Sequence, residues 1–338
     1  RRVLFRSVSK KEDMLIDYTV GKGGDLHKWA MNKLSFVLGI DISIDNIENK
    51  FDGACARYLQ LLKDKKQTPR CIFVVGNAEL NIKTTEGILK DKNKEIIKIL
   101  FGKLSKTRLL PKPVLSLSNK VSNGFHISSC QFALHYFFKE KKTLEGFLRN
   151  ITECTKLGGY FIGTCFDGKK IFDMLKKTEK NKSIRLFKHN KMIFEVVKKY
   201  EESSFENDIS SIGYEIEVYQ ETINKYFKEY LVHFELLERL MNLYGFIGIE
   251  NTEFDNKKFK KYGSFKDLYD EQKELSKEEK KISFLNNYFV FKKIKLVDVD
   301  MCRASIFKED IELKSKTPEK DSLEYKVNQK LNYKVKII

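Results

Sequence analysis

Three clusters in this 338-residue chain hold residue types that could do chemistry. The first is DYTVGKGGD at residues 17–25. Its glycines permit a turn between a strand and a helix in which backbone approaches a ligand closely. Asp41 lies twenty residues after Gly21. A carboxylate at that distance can accept both hydroxyls of a ribose. The glycine spacing is not that of a pyrophosphate-binding fingerprint, and suits a nucleoside with a short zwitterionic tail better than a dinucleotide. No glycine-rich loop ends in Gly-Lys-Ser or Gly-Lys-Thr, which argues against nucleotide hydrolysis. An ordinary glycine turn with a helix-capping Asp accounts for this cluster equally well.

The second cluster is SSCQFALHYFF at residues 128–138, with Gln131, Phe132, His135 and Tyr136 close together. Aromatic rings beside an imidazole can stack on a base and read its edge. A hydrophobic strand-to-helix junction with a core histidine would look the same. The third is EYLVHF at residues 229–234. Glu229 beside an aromatic could accept hydrogen bonds from guanine N1–H and its exocyclic amine, a donor pair that adenine lacks. Its bland alternative is a solvated Glu at a helix start.

Elements must position these residues. A short apolar run at 14–16 and a continuous one at 34–40 predict strands, 71–75 and 125–130 are further strand candidates, and another follows at 160–166 after Gly158-Gly159 closes a helix. Helices are predicted at 24–33, at 44–62 with Ile47, Phe51, Ala54, Tyr58 and Leu61 on one face, and around Leu144, Phe147, Leu148 and Ile151. Residues 78–124 break the rhythm and read as a surface insertion with a Lys-rich helix at 94–104. Residues 212–219 alternate like an exposed antiparallel strand. A helical stripe from Phe234 to Tyr244 ends at Gly245, and residues 288–294 form a last strand. Strand and helix in alternation predict an α/β fold with a mostly parallel central sheet and helices on both faces. The expected organisation is one domain over 1–294, with an added antiparallel substrate-side region at about 176–230, then a charged tail or linker at 295–338.

The net charge is +17, so a polyanionic partner is expected, although a Lys-rich surface is the plain alternative. The six cysteines form no C-x-x-C pair and no Cys/His group has zinc spacing, so no metal is expected. They read as small core residues in a reducing compartment. No apolar run is long enough to span a bilayer, and no membrane role is expected. The chain begins with Arg rather than Met, so it is expected to be a piece of a longer protein.

Taken together, GKGGDLHKW, GIDIS, SSCQFALHY, LRNITE, GGYFIGT and EYLVHF, in that order, resemble the mRNA cap guanine-N7 methyltransferase family. The start IDYTVGKGGD and the long stretch before SSCQF look most like the methyltransferase domain of multifunctional capping enzymes of large DNA viruses. The resemblance covers about 14–293. It implies a Rossmann-like class I fold with an added antiparallel cap-binding region, S-adenosyl-L-methionine (AdoMet) as cofactor, and methyl transfer to N7 of the 5′ cap guanine without a general base. It implies that Asp17, Gly21, Asp41, Asn77, Gln131 and Tyr136 hold AdoMet, with Asn77 standing where the family has Asp. It implies a cap site of Lys22, Lys28, Phe132, His135, Glu229 and Tyr288, with His135, Tyr136 and Glu229 positioning the base. Thr19 replaces the first glycine of the family's turn. Capped RNA is the implied partner, alongside triphosphatase and guanylyltransferase domains of the same polypeptide. The implied location is host cytoplasm or virion for a viral protein, and the nucleus otherwise. Two rival readings stay open: a non-catalytic RNA-binding or stimulatory module, and an AdoMet methyltransferase for another acceptor.

Overall fold

The computed structural model describes residues 2–64, 68–104, 110–249, 252–254, 257–269 and 275–316. Helix α1 (Arg2–Val8) precedes β1 (Met14–Asp17), α2 (Leu26–Met31), β2 (Phe36–Asp41), α3 (Ile44–Glu48), α4 (Ala54–Lys63) and β3 (Arg70–Val75). Then come α5 (Asp91–Leu100), α6 (Lys112–Leu115), β4 (Phe125–Gln131), α7 (Leu134–Phe137), α8 (Lys141–Cys154), β5 (Thr155–Phe166) and α9 (Gly168–Met174). The strands β6 (Ser183–Lys188), β7 (Lys191–Lys198), β8 (Glu215–Gln220) and β9 (Lys225–Tyr230) follow, then α10 (Phe234–Leu243) and β10 (Phe246–Gly248). The chain continues with β11 (Thr252–Phe254), β12 (Lys257–Phe259), β13 (Tyr262–Ser264), α11 (Lys277–Ser283), β14 (Asn286–Lys293) and α12 (Val299–Lys316).

The central sheet has the order β10-β14-β5-β4-β1-β2-β3, with β13 also on β14. Strands β3, β2, β1, β4 and β5 run parallel, and β14 joins β5 antiparallel. Alternate residues feed two cores. Ile16, Leu38, Phe125, Phe161 and Phe289 face one, while Leu15, Val37, Ile127, Ile162 and Val290 face the other with Trp29. Burial on both faces is why β1, β2 and β5 read as largely apolar runs, whereas β4 carries Ser128 and Ser129 inward on hydrogen bonds to Thr155 and Gln131. The order reverses between β1 and β4, so the carboxyl ends of these strands open at a topological switch point, where such sheets bind ligands. The fold is the expected Rossmann-like one. A second, antiparallel sheet, β6-β7-β8-β9, stands on that side with a core of its own around Phe172, Phe194 and Ile216.

Several expectations need correction. The helix over 44–62 is two helices, because Asn49 Oδ1 accepts from the N–H groups of Phe51 at 2.9 Å and Asp52 at 3.3 Å. The turn closes at Gly53, where a Cβ would lie 2.7 Å from the Asn49 backbone. Phe51 therefore points into solvent and not along an inner face. Residues 78–124 are more than a surface excursion: Ile82, Ile88, Ile97, Leu100, Leu117 and Val121 are buried in the core on one face of the sheet. Their helix is α5 at 91–100, and residues 105–109 lie outside the described ones. Helix α8 ends at Cys154, and Gly158-Gly159 lie inside β5. Strand β8 is interior to its sheet, with Ile216 and Val218 buried. In the expected tail, α12 packs Cys302 and Ile306 onto the core, and Arg303 and Glu309 pair with Glu145 and Arg239. Residues 317–338 lie outside the described ones.

Candidate functional site

Four side chains meet the switch point from adjacent strand ends. Asp17 ends β1, Asp41 ends β2, Asn77 follows β3 and Gln131 ends β4. Asp41 binds the glycine turn to β2: its Oδ2 accepts from the Gly21 N–H at 2.8 Å. Its Oδ1 accepts from Ser43 N–H at 2.9 Å and from Asn46 Nδ2 at 3.0 Å. A carboxylate offers about four lone-pair sites, so a further donor can still be accepted. Gly21, at φ +55°, and Gly24 both look onto open space, with no atom within 4 Å of where a Cβ would be.

The loop carrying Asn77 is held from α8. Asn150 Oδ1 accepts from Ile82 N–H at 2.8 Å, and its Nδ2 donates to the carbonyls of Ala78 and Leu80, both at 2.7 Å. Gly146 lets the loop sit close, since a Cβ there would fall 1.9 Å from the Glu79 carbonyl. Asn77 Oδ1 itself accepts from Glu79 N–H at 2.9 Å. Thr164 on β5 organises the next strand end. Its hydroxyl donates to Gln131 Oε1 at 3.2 Å, while its carbonyl accepts from Phe132 N–H at 2.7 Å. Phe132 is thereby held at φ +56°, a left-handed conformation costly for a bulky side chain.

Beyond Phe132 lies a cavity of about 540 Å³, walled by Phe132, His135, Tyr136, Phe227, Glu229 and Phe265 among others. Short helix α7 brings His135 against β9, so that His135 Nδ1 stands 3.6 Å from Glu229 Oε2. That is beyond hydrogen-bond reach. Among the described residues, both ring nitrogens of His135 and Oε2 of Glu229 are buried without a hydrogen-bond partner. Burial pushes the Glu229 carboxyl up to about 8 and the His135 imidazole down to about 3, so both are held towards their neutral forms. Phe132 and Phe265 meet edge to face at 5.9 Å. Tyr136 lies 4.2 Å from the His135 ring, and its hydroxyl is pushed upward by burial first, then by the fields of Glu229 and Asp41. Tyr136 thus lines the cavity and lies within electrostatic reach of Asp41.

The family model described as the mRNA (guanine-N(7))-methyltransferase domain matches residues 3–294. The chain belongs to that family. Its reaction is methyl transfer from AdoMet to N7 of the mRNA cap guanine. The "Probable mRNA-capping enzyme" of Acanthamoeba polyphaga mimivirus is 28% identical over 322 residues, 84% of this chain but 26% of that protein. The mRNA cap guanine-N(7) methyltransferase of Caenorhabditis elegans is 31% identical over 46% of this chain and 32% of its own length. In Arabidopsis thaliana, mRNA cap guanine-N(7) methyltransferase 1 is 26% identical over 53% of this chain and 40% of its own length. The chain thus spans from about a quarter to two fifths of these relatives. Among solved structures, the CcbJ methyltransferase of Streptomyces caelestis covers 87% of this chain and 88% of its own, at 12% identity and a TM-score of 0.47.

The residues present fit AdoMet. A ribose-type carboxylate, Asp41, adjoins a glycine turn open to solvent, and Asp17, Asn77, Gln131 and Tyr136 stand around the same strand ends. The cavity gathers Phe132, His135 and Glu229, but not the other three residues that the family resemblance implies for the cap site. Lys22 Nζ is 2.8 Å from Asp52 and 3.1 Å from Asp45, and Lys28 is paired with Asp25. Tyr288 is buried in the sheet core, and its hydroxyl accepts from Lys260 N–H at 3.3 Å. Tyr288 packs into one core with Val290; Asn286, two residues earlier on the same face but at the very start of β14, lines the cavity instead. Sequence reasoning missed Phe265, which lies in a charged stretch with no pattern to betray it. It also missed the positioning roles of Thr164 and Asn150, although both stand in the motifs GGYFIGT and LRNITE.

Proposed function

We propose that this chain is the cap-methylating domain of a longer capping enzyme, and that its two half-sites divide the work. Asp41, with Asp17, Asn77, Gln131 and Tyr136, holds AdoMet at the strand ends. AdoMet supplies an electrophilic methyl group there. Phe132 and Phe265 flank the cap guanine, Glu229 accepts from its N1–H and exocyclic amine, and His135 meets its remaining polar edge. The observation that carries this reading is the set of orphaned buried polar atoms on His135 and Glu229, lining an otherwise largely apolar cavity. Each such atom costs about 1–3 kcal/mol until a ligand satisfies it.

Guanine N7 has a free lone pair at neutral pH, so no proton need leave it. His135, held neutral by burial, is a positioning group here and not a base. Alignment of acceptor and donor can supply about 7–11 kcal/mol of the barrier in favourable cases. The similarity to a mimivirus capping enzyme supports a viral setting, in host cytoplasm or virion, with the other capping steps on the same polypeptide. Incubation with labelled AdoMet and GpppG-ended RNA, followed by nuclease digestion, should place the label on the cap guanine. Label on an internal nucleotide, or none with AdoMet bound, would remove the proposal in favour of another acceptor or a non-catalytic module.

A further inference from the structure

The turn between α3 and α4 carries a ring that methyl transfer does not use. Phe51 is 95% exposed, yet the Asn49 side chain and Gly53 fix the backbone that presents it. Beside it runs a groove of about 770 Å³ between α2 and α4, with His27, Lys50, Arg57 and Lys63 on its walls. Among the described residues no ion pair engages Lys50, Arg57 or Lys63, whereas Glu48 on the same wall is taken up by Lys90 at 2.6 Å. Asp64, just after α4, also lines the groove, so Lys50, Arg57 and Lys63 outnumber its two carboxylates, and one aromatic projects beside them.

Its position links it to the cap cavity. Lys22 joins Asp52, next to Phe51, to Asp45 on α3. Asp45 is held below its ordinary value by the Asn49 side chain first, then by Lys22, with Lys225 of the β8–β9 hairpin contributing. The tip of that hairpin, Glu221, Thr222 and Ile223, lines the cap cavity. The hairpin thus borders the cavity and, through Lys225, lies within electrostatic reach of α3, the helix before the Phe51 turn.

We infer that the α2–α4 groove holds the RNA that follows the cap, with a transcribed base stacked on Phe51 and its phosphates met by Lys50, Arg57 and Lys63. Cations along a groove with an isolated exposed ring are the chemistry of single-stranded nucleic acid. A protein partner would favour a contiguous apolar patch. The inference rests on the cap-methylating reading, and two measurements separate them. Methylation of the GpppG dinucleotide tests that reading alone. Fluorescence anisotropy of a labelled, uncapped single-stranded RNA tests the groove whatever the activity.

Phe51→Ala and Arg57→Glu should each weaken RNA binding roughly five- to ten-fold. They should raise KM for short capped RNA in parallel and leave KM for GpppG unchanged. Arg57→Glu should also flatten the salt dependence, by a log–log slope of about 0.7 for each phosphate no longer neutralised. Both side chains are exposed, so folding should survive either change. RNA affinity that is the same in native protein and both variants overturns the inference and leaves the face to a protein partner. So does a native KM that is equal for GpppG and capped RNA.

Discussion

The strand-end half-site and the cap cavity are built on opposite economies. At the strand ends, Asp41, Asn77 and Gln131 all have partners: Gly21, Ser43, Asn46, Glu79, Ser129 and Thr164 hold them before any ligand arrives. In the cavity, His135 and Glu229 are buried with polar atoms unmet. The first half-site is preorganised by hydrogen bonds already made. The second carries a desolvation cost that only a ligand with the right donors removes. On the proposed reading that asymmetry makes the cavity the seat of specificity, because a base lacking those donors leaves the cost in place.

The sharpest way to break this comparison is Glu229→Ala. Hydrogen bonds to a charged acceptor are worth about 1.5–3 kcal/mol each. Loss of two should weaken cap binding by roughly a hundred-fold or more and erase the preference for GpppN over ApppN. Thermal stability should hold or rise, since a buried unpaired carboxyl is gone. A variant that keeps its discrimination would dissolve the claimed role. Asn150→Ala is the counterpart on the other half-site. It strips partners from Ile82 N–H and from two carbonyls, and should cost about 2–3 kcal/mol in denaturant unfolding. AdoMet affinity should fall with it, by calorimetry, because the Asn77 loop is released. Unchanged AdoMet affinity would mean that the loop does not hold the cofactor.

These two residues also show what could be read before folding. Strands β1 and β2 were legible because burial on both faces leaves largely apolar runs, and Asp41 was legible because it ends one of them. Glu229 was legible as a chemical type but not as a buried group. Its neighbours Lys225, Tyr226, Phe227 and Lys228 are exposed, so nothing local announces that it turns inward. Asn150 contacts a loop about 70 residues away in sequence, and Phe265 reaches the cavity through β13 and its turn. Such tertiary meetings leave no periodic trace. Tyr288 was placed by motif register; it shares a face of β14 with Asn286 but sits two residues deeper, where that face meets the core and not the cavity.

A smaller effect comes from pH, and it acts on the cavity alone. Burial holds the free Glu229 carboxyl up to about 8, whereas the guanine donors select its ionised form. Binding below about pH 8 must then release a proton. Cap affinity should climb as pH rises from about 6 to about 8, by at most roughly ten-fold per unit, and level off above. AdoMet affinity should stay flat over the same range. Glu229→Gln should flatten the cap profile; a flat profile in the native protein would contradict the assigned state of the carboxyl.

The smallest effect separates strain from stacking at Phe132, which joins the two half-sites. For most residues in regular structure, Ala is more stable than Gly. At φ +56° the order should reverse, because an L side chain there costs about 1–2 kcal/mol that glycine avoids. Phe132→Gly should therefore be more stable than Phe132→Ala by about 1 kcal/mol in denaturant midpoints. Both should lose cap affinity by a similar factor, since both lack the ring that meets Phe265. If Ala proves the more stable, the strain is not real. If both retain cap affinity, the strain serves something other than holding a ring over the cavity, and the left-handed turn would have to be explained by the path of the Gln131 backbone alone.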